Sequence, residues 1–350
     1  MTDRAKDRAA SGTSVNPWLI ACLSPELGRT APLGIVADKC PVVLFRDANG
    51  SPAALEDRCA HRNSPLSLGS ARNGALTCRY HGWTYAGDGA VVDIPALCEQ
   101  DRAQGHFKIR SYHTAEQEGF VWIALSEQPP GSPPPRFPNL TTAGWTSFVM
   151  KTRFKAPMEA CLENFLDCPH ATFLHRYWFR TPTAKPVKAT VRTLADGAEA
   201  EFFEEPREKS AVWWLLAPRG GPMRHTDRFI APRTSRVDYQ FPGGLHYTIT
   251  SSCTALSDLD TEVYTVITFR YWWMGPLVRL LFQPLARRII RQDVDMLGAQ
   301  YENVRRFGGP KFASTHADLL GRHIAAWKRA LDRNEAPPAA GAQYDVDLRL

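Results

Sequence analysis

The stretch that decides the fold is Cys59-Ala60-His61-Arg62-Asn63-Ser64-Pro65-Leu66-Ser67-Leu68-Gly69, followed by Cys78-Arg79-Tyr80-His81-Gly82-Trp83. Cys59 and His61 form a C-x-H pair, and Cys78 and His81 form a C-x2-H pair. Two thiolates and two imidazoles are a full ligand set for one small metal centre. One zinc ion could take all four. A two-iron, two-sulfur cluster could take both cysteines on one iron and both histidines on the other. Zinc fingers usually keep their cysteines together and their histidines together, with the histidines on a helix. Here each loop supplies one of each, which suits two similar loops gripping a cluster from opposite sides. Gly69 and Gly82 stand where the backbone has to bend or pass closely, and Pro65 and Pro95 stiffen the neighbouring turns.

Around these loops the chain reads as short strands broken by turns. Pro41–Arg46 is a strand, Asp47-Ala48-Asn49-Gly50 a hairpin turn with its Asn-Gly signal, and Pro52–Glu56 the returning strand. Gly87-Asp88-Gly89 marks another tight turn, and Gly119–Leu125 reads as a buried strand. Residues 17–126 are therefore predicted to form a small all-β domain after a tail over 1–16. Six prolines between Pro129 and Pro138 exclude helix or central strand there, so 127–144 reads as a linker.

A second domain is expected over 145–334. Phe148–Phe154 reads as a strand. Met158, Cys161, Leu162, Phe165 and Leu166 then recur at helical spacing, with Pro157 suited to the first turn. Lys188–Glu204, Val212–Leu216, Arg228–Ile230, Arg236–Phe241, Leu245–Thr250 and Val263–Tyr271 are predicted strands of one antiparallel sheet. Gly243-Gly244 and Asp258-Leu259-Asp260 supply turns. Helices return over Leu277–Arg306 and Leu319–Arg333, and the Ala- and Pro-rich residues 335–350 read as a tail along the surface.

The first helix of this domain carries Asn164-x2-Asp167-x2-His170-x4-His175. Two histidines beside an acid suggest part of a site in which two His and one carboxylate hold Fe(II) with positions left open. On an ideal helix five residues turn by about 500°, which leaves His170 and His175 roughly 140° apart. They converge only if the helix bulges, bends or ends between them, and such an irregularity is predicted.

Composition narrows the function classes. The chain has 350 residues, 44% of them hydrophobic, and a net charge of +6 without a basic block. That argues against a nucleic-acid interface, which wants a clustered basic face. The eight cysteines show no disulfide-framework spacing, which suits a reducing, cytoplasmic setting. The N-terminal residues lack the apolar run of a signal peptide or anchor. Trp272–Ile290 is too interrupted by Gly, Pro and Arg to span a membrane. No G-x-G-x-x-G occurs between a strand and a helix, so no nucleotide site is expected.

Taken together, the motifs resemble the Rieske non-haem iron oxygenases. Phe45-Arg46-Asp47, Cys59-Ala60-His61-Arg62, Leu66-Ser67-x-Gly69, Cys78-Arg79-Tyr80-His81-Gly82-Trp83 and Ile94-Pro95 resemble the Rieske domain. Ala60 stands where that family often has Pro. The Asn164–His175 segment resembles the family's iron-binding segment, and the likeness covers roughly Trp18 to Phe307. The resemblance implies an α+β chain: a β Rieske domain ahead of a helix-grip-like catalytic domain, whose large antiparallel sheet is covered by helices. Cys59, His61, Cys78 and His81 would hold a [2Fe–2S] cluster, and His170 and His175 would bind mononuclear Fe(II).

The family's third iron ligand is an Asp early in a C-terminal helix. Arg291-Gln292-Asp293-Val294-Asp295 matches, with Gln292 in place of the common acid. Asp293 is the assigned ligand and Asp295 the alternative. Asp167 and Asn164 are the candidate catalytic residues. Asp167 matches the family's bridging Asp, which links an iron histidine to a cluster histidine across a head-to-tail trimer interface.

The resemblance further implies an oxygenase that takes O2 and electrons from a separate NAD(P)H-dependent reductase or ferredoxin. Arg58, Arg62, Arg72, Arg79 and Arg110 are candidates for docking such a donor. The modest length resembles the family's monooxygenases and demethylases, which implies hydroxylation or oxidative demethylation, and the aromatic supply favours a largely apolar, cyclic organic substrate. Phe202, Trp213, Trp214, Tyr239, Phe241, Tyr247 and Trp273 are candidate pocket or core residues. Ring cis-dihydroxylation, and an electron carrier with an inactive second site, are the alternatives.

Overall fold

A computed structural model describes residues 16–98, 107–178, 186–205, 211–216 and 223–349. These residues divide into two compact units: 16–136 with 254–256, and 137–253 with 257–349. The junction falls within the Pro-rich stretch, and residues 125–145 form no helix or strand.

Among the described residues, the first unit is built from ten strands: β1 (Trp18–Leu23), β2 (Leu33–Ala37), β3 (Cys40–Arg46), β4 (Pro52–Glu56), β5 (Ser70–Arg72), β6 (Ala75–Thr77), β7 (Thr84–Tyr85), β8 (Val91–Asp93), β9 (Ser111–Gln117) and β10 (Phe120–Ala124). A six-stranded sheet runs β1-β10-β9-β4-β3-β2, and a four-stranded sheet runs β5-β6-β7-β8. The Asn49-Gly50 turn joins β3 to β4 as expected, with Gly50 at φ +82°. β10 is buried at all five positions, as its unbroken apolar run requires.

Among the described residues, the second unit holds one eight-stranded antiparallel sheet and five α-helices. Its elements are β11 (Thr146–Phe154), α1 (Met158–Phe165), α2 (His170–Phe173), β12 (Pro186–Leu194), β13 (Gly197–Glu205), α3 (Ala211–Leu216), β14 (Met223–Ile230), β15 (Thr234–Gln240), β16 (His246–Ser257), β17 (Asp260–Arg270), α4 (Gly275–Arg306), α5 (Gly321–Arg333) and β18 (Gln343–Arg349). The sheet order is β11-β17-β16-β15-β14-β13-β12-β18. The architecture is α+β, with the main core between the sheet and the helices. On α4 the buried positions Val278, Phe282, Ala286, Asp293 and Leu297 follow one stripe at helical spacing. No helix among the described residues is long and apolar enough to cross a membrane.

Three sequence expectations need correction. Val212–Leu216 is helical, not a strand: a six-residue apolar run has no periodicity that separates the two states. Lys188–Glu204 is not one strand but the hairpin β12–β13, turning before Gly197. The stretch 335–350 is not merely a surface tail, because Gln343–Arg349 pairs along β12 and forms the last strand of the sheet.

Candidate metal centres

The cluster loops are two turns of nearly the same design. In the first, the Cys59 amide donates to the Ser64 carbonyl (2.9 Å) and the Asn63 amide to the Cys59 carbonyl (2.9 Å). In the second, the Cys78 amide donates to the Trp83 carbonyl (2.8 Å) and the Gly82 amide to the Cys78 carbonyl (3.0 Å). The first loop follows β4, and the second joins β6 to β7. Gly82 adopts φ +76°, and a Cβ there would also press on the Pro95 ring at 2.9 Å. Gly69 passes so near the Thr77 carbonyl that a Cβ would come within 2.1 Å of it.

Together the turns gather all four expected cluster residues. The His61 and His81 rings lie 4.5 Å apart, and His61 stacks on Trp83 at 5.0 Å. Cys59 and Cys78 are buried, whereas His81 is exposed. Nδ1 of His61 is buried without a hydrogen-bond partner, as expected of a nitrogen that a metal would take. Burial pushes the Cys78 thiol up, and Cys59 beside it adds to the shift, so a thiolate there calls for a neighbouring cation. This donor set fits a [2Fe–2S] cluster. The Tyr85 hydroxyl lies 3.1 Å from Cys59 Sγ and accepts from the Ala60 amide at 3.0 Å. Burial raises the Tyr85 pKa, so its proton stays in place at neutral pH. Among the candidate docking arginines, Arg58 pairs with Glu56 (2.7 Å) and Arg110 donates to the Leu125 carbonyl (2.8 Å). Arg62, Arg72 and Arg79 are exposed.

The second centre lies where the helical segment breaks. α1 stops at Phe165, and α2 starts at His170 and ends at Phe173, so the helix ends between the two histidines. This is the predicted irregularity. It brings the His170 and His175 Nε2 atoms to 3.3 Å, although the residues would diverge on a continuous helix. Asp293 arrives from α4, with Oδ1 3.0 Å from His175 Nε2 and 3.6 Å from His170 Nε2. Asp295, two residues on, is exposed on another face of the helix.

His175 and Asp293 are each only 4% exposed. Asp293 Oδ1 is buried and accepts no hydrogen bond, an expensive arrangement unless a cation sits against it. Two imidazoles and one carboxylate fit an Fe(II) site with open positions. Asp167 lies beside the triad. Its backbone carbonyl contacts His170 Nδ1, and its half-exposed carboxylate lies 3.6 Å from that nitrogen. Burial works against a charge on His170, but the Asp167 and Asp293 carboxylates outweigh it, so its pKa stands above the ordinary histidine value.

Gln292 is a functional residue that the sequence reading passed over. Its Oε1 accepts from His175 Nδ1 at 2.9 Å, which fixes the ring and presents Nε2 to the triad. The clue was its place next to Asp293, at the position noted as a departure from the common acid.

The triad opens on a cavity of about 130 Å³. Phe165, Val237, Ile249, Ile267, Phe282 and Ile290 supply much of its apolar wall. Asn164 also lines it, with a buried Nδ2 that has no hydrogen-bond partner. Among the aromatic candidates, Tyr239 and Tyr247 line the cavity. Phe202, Trp213 and Phe241 are buried in the core, and Trp214 and Trp273 are exposed.

Comparisons with known proteins agree with this geometry. The Rieske [2Fe-2S] domain family matches residues 17–112, and the vanillate O-demethylase oxygenase C-terminal domain family matches 154–333. Protein TIC 55, chloroplastic, of Arabidopsis thaliana is 28% identical over 81% of this chain and 53% of its own length. Chlorophyllide a oxygenase, chloroplastic, of the same plant is 30% identical over 91% of this chain and 58% of its own length. The chain thus spans little more than half the length of these relatives. The crystal structure of dicamba monooxygenase bound to dicamba superposes with a TM-score of 0.78, at 21% identity, over 93% of this chain and 99% of that one, a likeness of fold. The paired loops, the His–His–Asp triad and the two family matches together place this chain among the Rieske-type non-haem iron oxygenases.

Proposed function

We propose that this chain is the oxygenase component of a system that hydroxylates or oxidatively demethylates a largely apolar, cyclic organic molecule. One observation carries the reading: His170, His175 and Asp293 converge at the wall of a mainly apolar cavity. His170, His175 and Asp293 would hold Fe(II), and Cys59, His61, Cys78 and His81 the [2Fe–2S] cluster. The cluster supplies single electrons, and the iron supplies open positions at which O2 is activated.

The chain's own residues do the remaining work. Phe282, Ile267 and Val237 exclude water and hold the substrate by apolar contact. The Asn164 amide offers a donor inside the cavity, and Gln292 holds the His175 ring in one tautomer. Asp167 contacts His170 and remains accessible, which suits a hydrogen-bonded link to the partner subunit's His81 in a head-to-tail trimer. His81 is exposed, as such a link requires. Exposed Arg62, Arg72 and Arg79 suit an acidic ferredoxin or NAD(P)H-dependent reductase as electron donor. None of the eight cysteines is in a disulfide, a usage that suits the cytoplasm.

The test supplies iron, a surrogate reductase, labelled O2 and a panel of methoxy- and methyl-substituted arenes. Product carrying one labelled oxygen atom, or its demethylated equivalent with O2 uptake, supports the reading. Two labelled atoms would instead indicate dihydroxylation, and iron-loaded protein without O2-dependent product would indicate an electron carrier.

A further inference from the structure

The cavity wall carries a carboxylate outside the iron triad. On β14 the positions Met223, His225, Asp227 and Phe229 alternate inward and are all buried. Apolar residues are expected at such positions, and two of the four are polar. Asp227 is 1% exposed and borders the cavity. His225 Nε2 donates to Asp227 Oδ1 at 2.9 Å, and Cys168 Sγ donates to Oδ2 at 3.3 Å. The His225 ring is held between Phe202 (centroids 4.5 Å) and Tyr239 (4.3 Å), nearly parallel to both. The carboxylate is therefore fixed in orientation, yet the two bonds take only one lone pair from each oxygen. A carboxylate has about four such acceptor positions.

The rest of the wall sharpens the point. Among the described residues lining the cavity there is no Lys or Arg. Ser235, Ser251 and Thr265 add hydroxyls, and the last two already bond each other at 3.0 Å. An aromatic acid entering this space would lose its hydration beside a second carboxylate, without a Lys or Arg to offset either charge. A molecule with an N–H or O–H group would instead give Asp227 a donor for an unused lone pair.

We infer that the cavity selects a mainly apolar substrate that carries an N–H or O–H donor, and rejects arenecarboxylates. Asp227 receives the donor, and His225 is the positioning residue that aims it. This deepens the oxygenase reading of the same cavity and rests on it. Iron content and O2-dependent product formation test that reading separately from the binding assay below.

The assay is calorimetry on the iron-loaded protein with three matched probes: para-methoxyphenol, para-dimethoxybenzene and para-methoxybenzoate. The phenol is expected to bind at least about tenfold more tightly than either of the others, the scale of one buried hydrogen bond to a charged group. In Asp227→Asn the benzoate is expected to tighten and the phenol's advantage to shrink. In His225→Gln the phenol's advantage falls while iron content holds. The wild-type ranking needs no variant to fold. The inference is overturned if the benzoate binds as well as the phenol, or if the phenol does no better than the diether or does not bind. An unchanged ranking in folded Asp227→Asn overturns it as well. So does a further metal ion that is lost in Asp227→Asn, because Cys168, His225 and Asp227 would then be ligands rather than a hydrogen-bonded set.

Discussion

The two candidate metal centres are built by opposite means. The cluster loops are local: each is a short turn closed by its own backbone bonds, and His81 stands exposed at the tip of one. The His170–His175–Asp293 triad joins a broken helical segment to a helix more than a hundred residues later in sequence, and it is buried against an apolar cavity. A relay of electrons needs a ligand near the surface, where a second protein can approach. A centre that handles O2 beside an apolar substrate needs water kept out. On the proposed oxygenase reading, the difference in burial follows from the difference in task.

Four substitutions probe that contrast. The largest effect is expected from Asp293→Ala. Iron should fall from three atoms per chain to about two, counting two in the cluster and one in the triad, and turnover should be lost while the cluster spectrum stays intact. Metal analysis with electron paramagnetic resonance checks this, and a cluster lost together with the iron would show that the two centres do not assemble independently. Asp167→Asn should keep both metals but lower turnover about 10- to 100-fold, the range for residues that orient metal-bound histidines. Full activity in that variant would remove the proposed link between centres. Gln292→Leu should weaken Fe(II) binding by about 10-fold or more, with the cluster unaffected, because His175 loses the acceptor on its Nδ1. Titration of apo-protein with Fe(II) measures it. The smallest effect belongs to Tyr85→Phe. Removing the hydroxyl beside Cys59 Sγ should lower the cluster's reduction potential without changing iron content, since hydrogen bonds to the sulfurs favour the reduced form. Redox titration reads that shift.

The same contrast explains what could be read from the chain. Cys59, His61, Cys78 and His81 sit within one short span, so spacing alone announced a shared centre. His170 and His175 are too far round an ideal helix to meet, and that conflict exposed the break between α1 and His175. The burial stripe on α4 places Asp293 rather than Asp295 on the inner face. Gln292 was harder to recognise, because its worth lies in a bond to a ring 117 residues away in sequence. The pair His225 and Asp227 left a local signal, polar residues at inward positions of an alternating strand, but the strand predicted there began only at Arg228. β18 carried its own alternation in Tyr344, Val346 and Leu348, masked by the Ala and Pro residues before it.

α4 serves two duties at once. It brings Asp293 to the triad, and one, two and three turns earlier it lays Ile289, Ala286 and Phe282 along the cavity. Pulling Asp293 towards an ion and pressing a guest against Phe282 therefore draw on the same helix. By thermodynamic reciprocity, whatever the guest adds to or takes from the hold on the ion, the ion must return to the guest in equal measure. Fe(II) affinity measured with and without substrate reads the size and sign of that exchange.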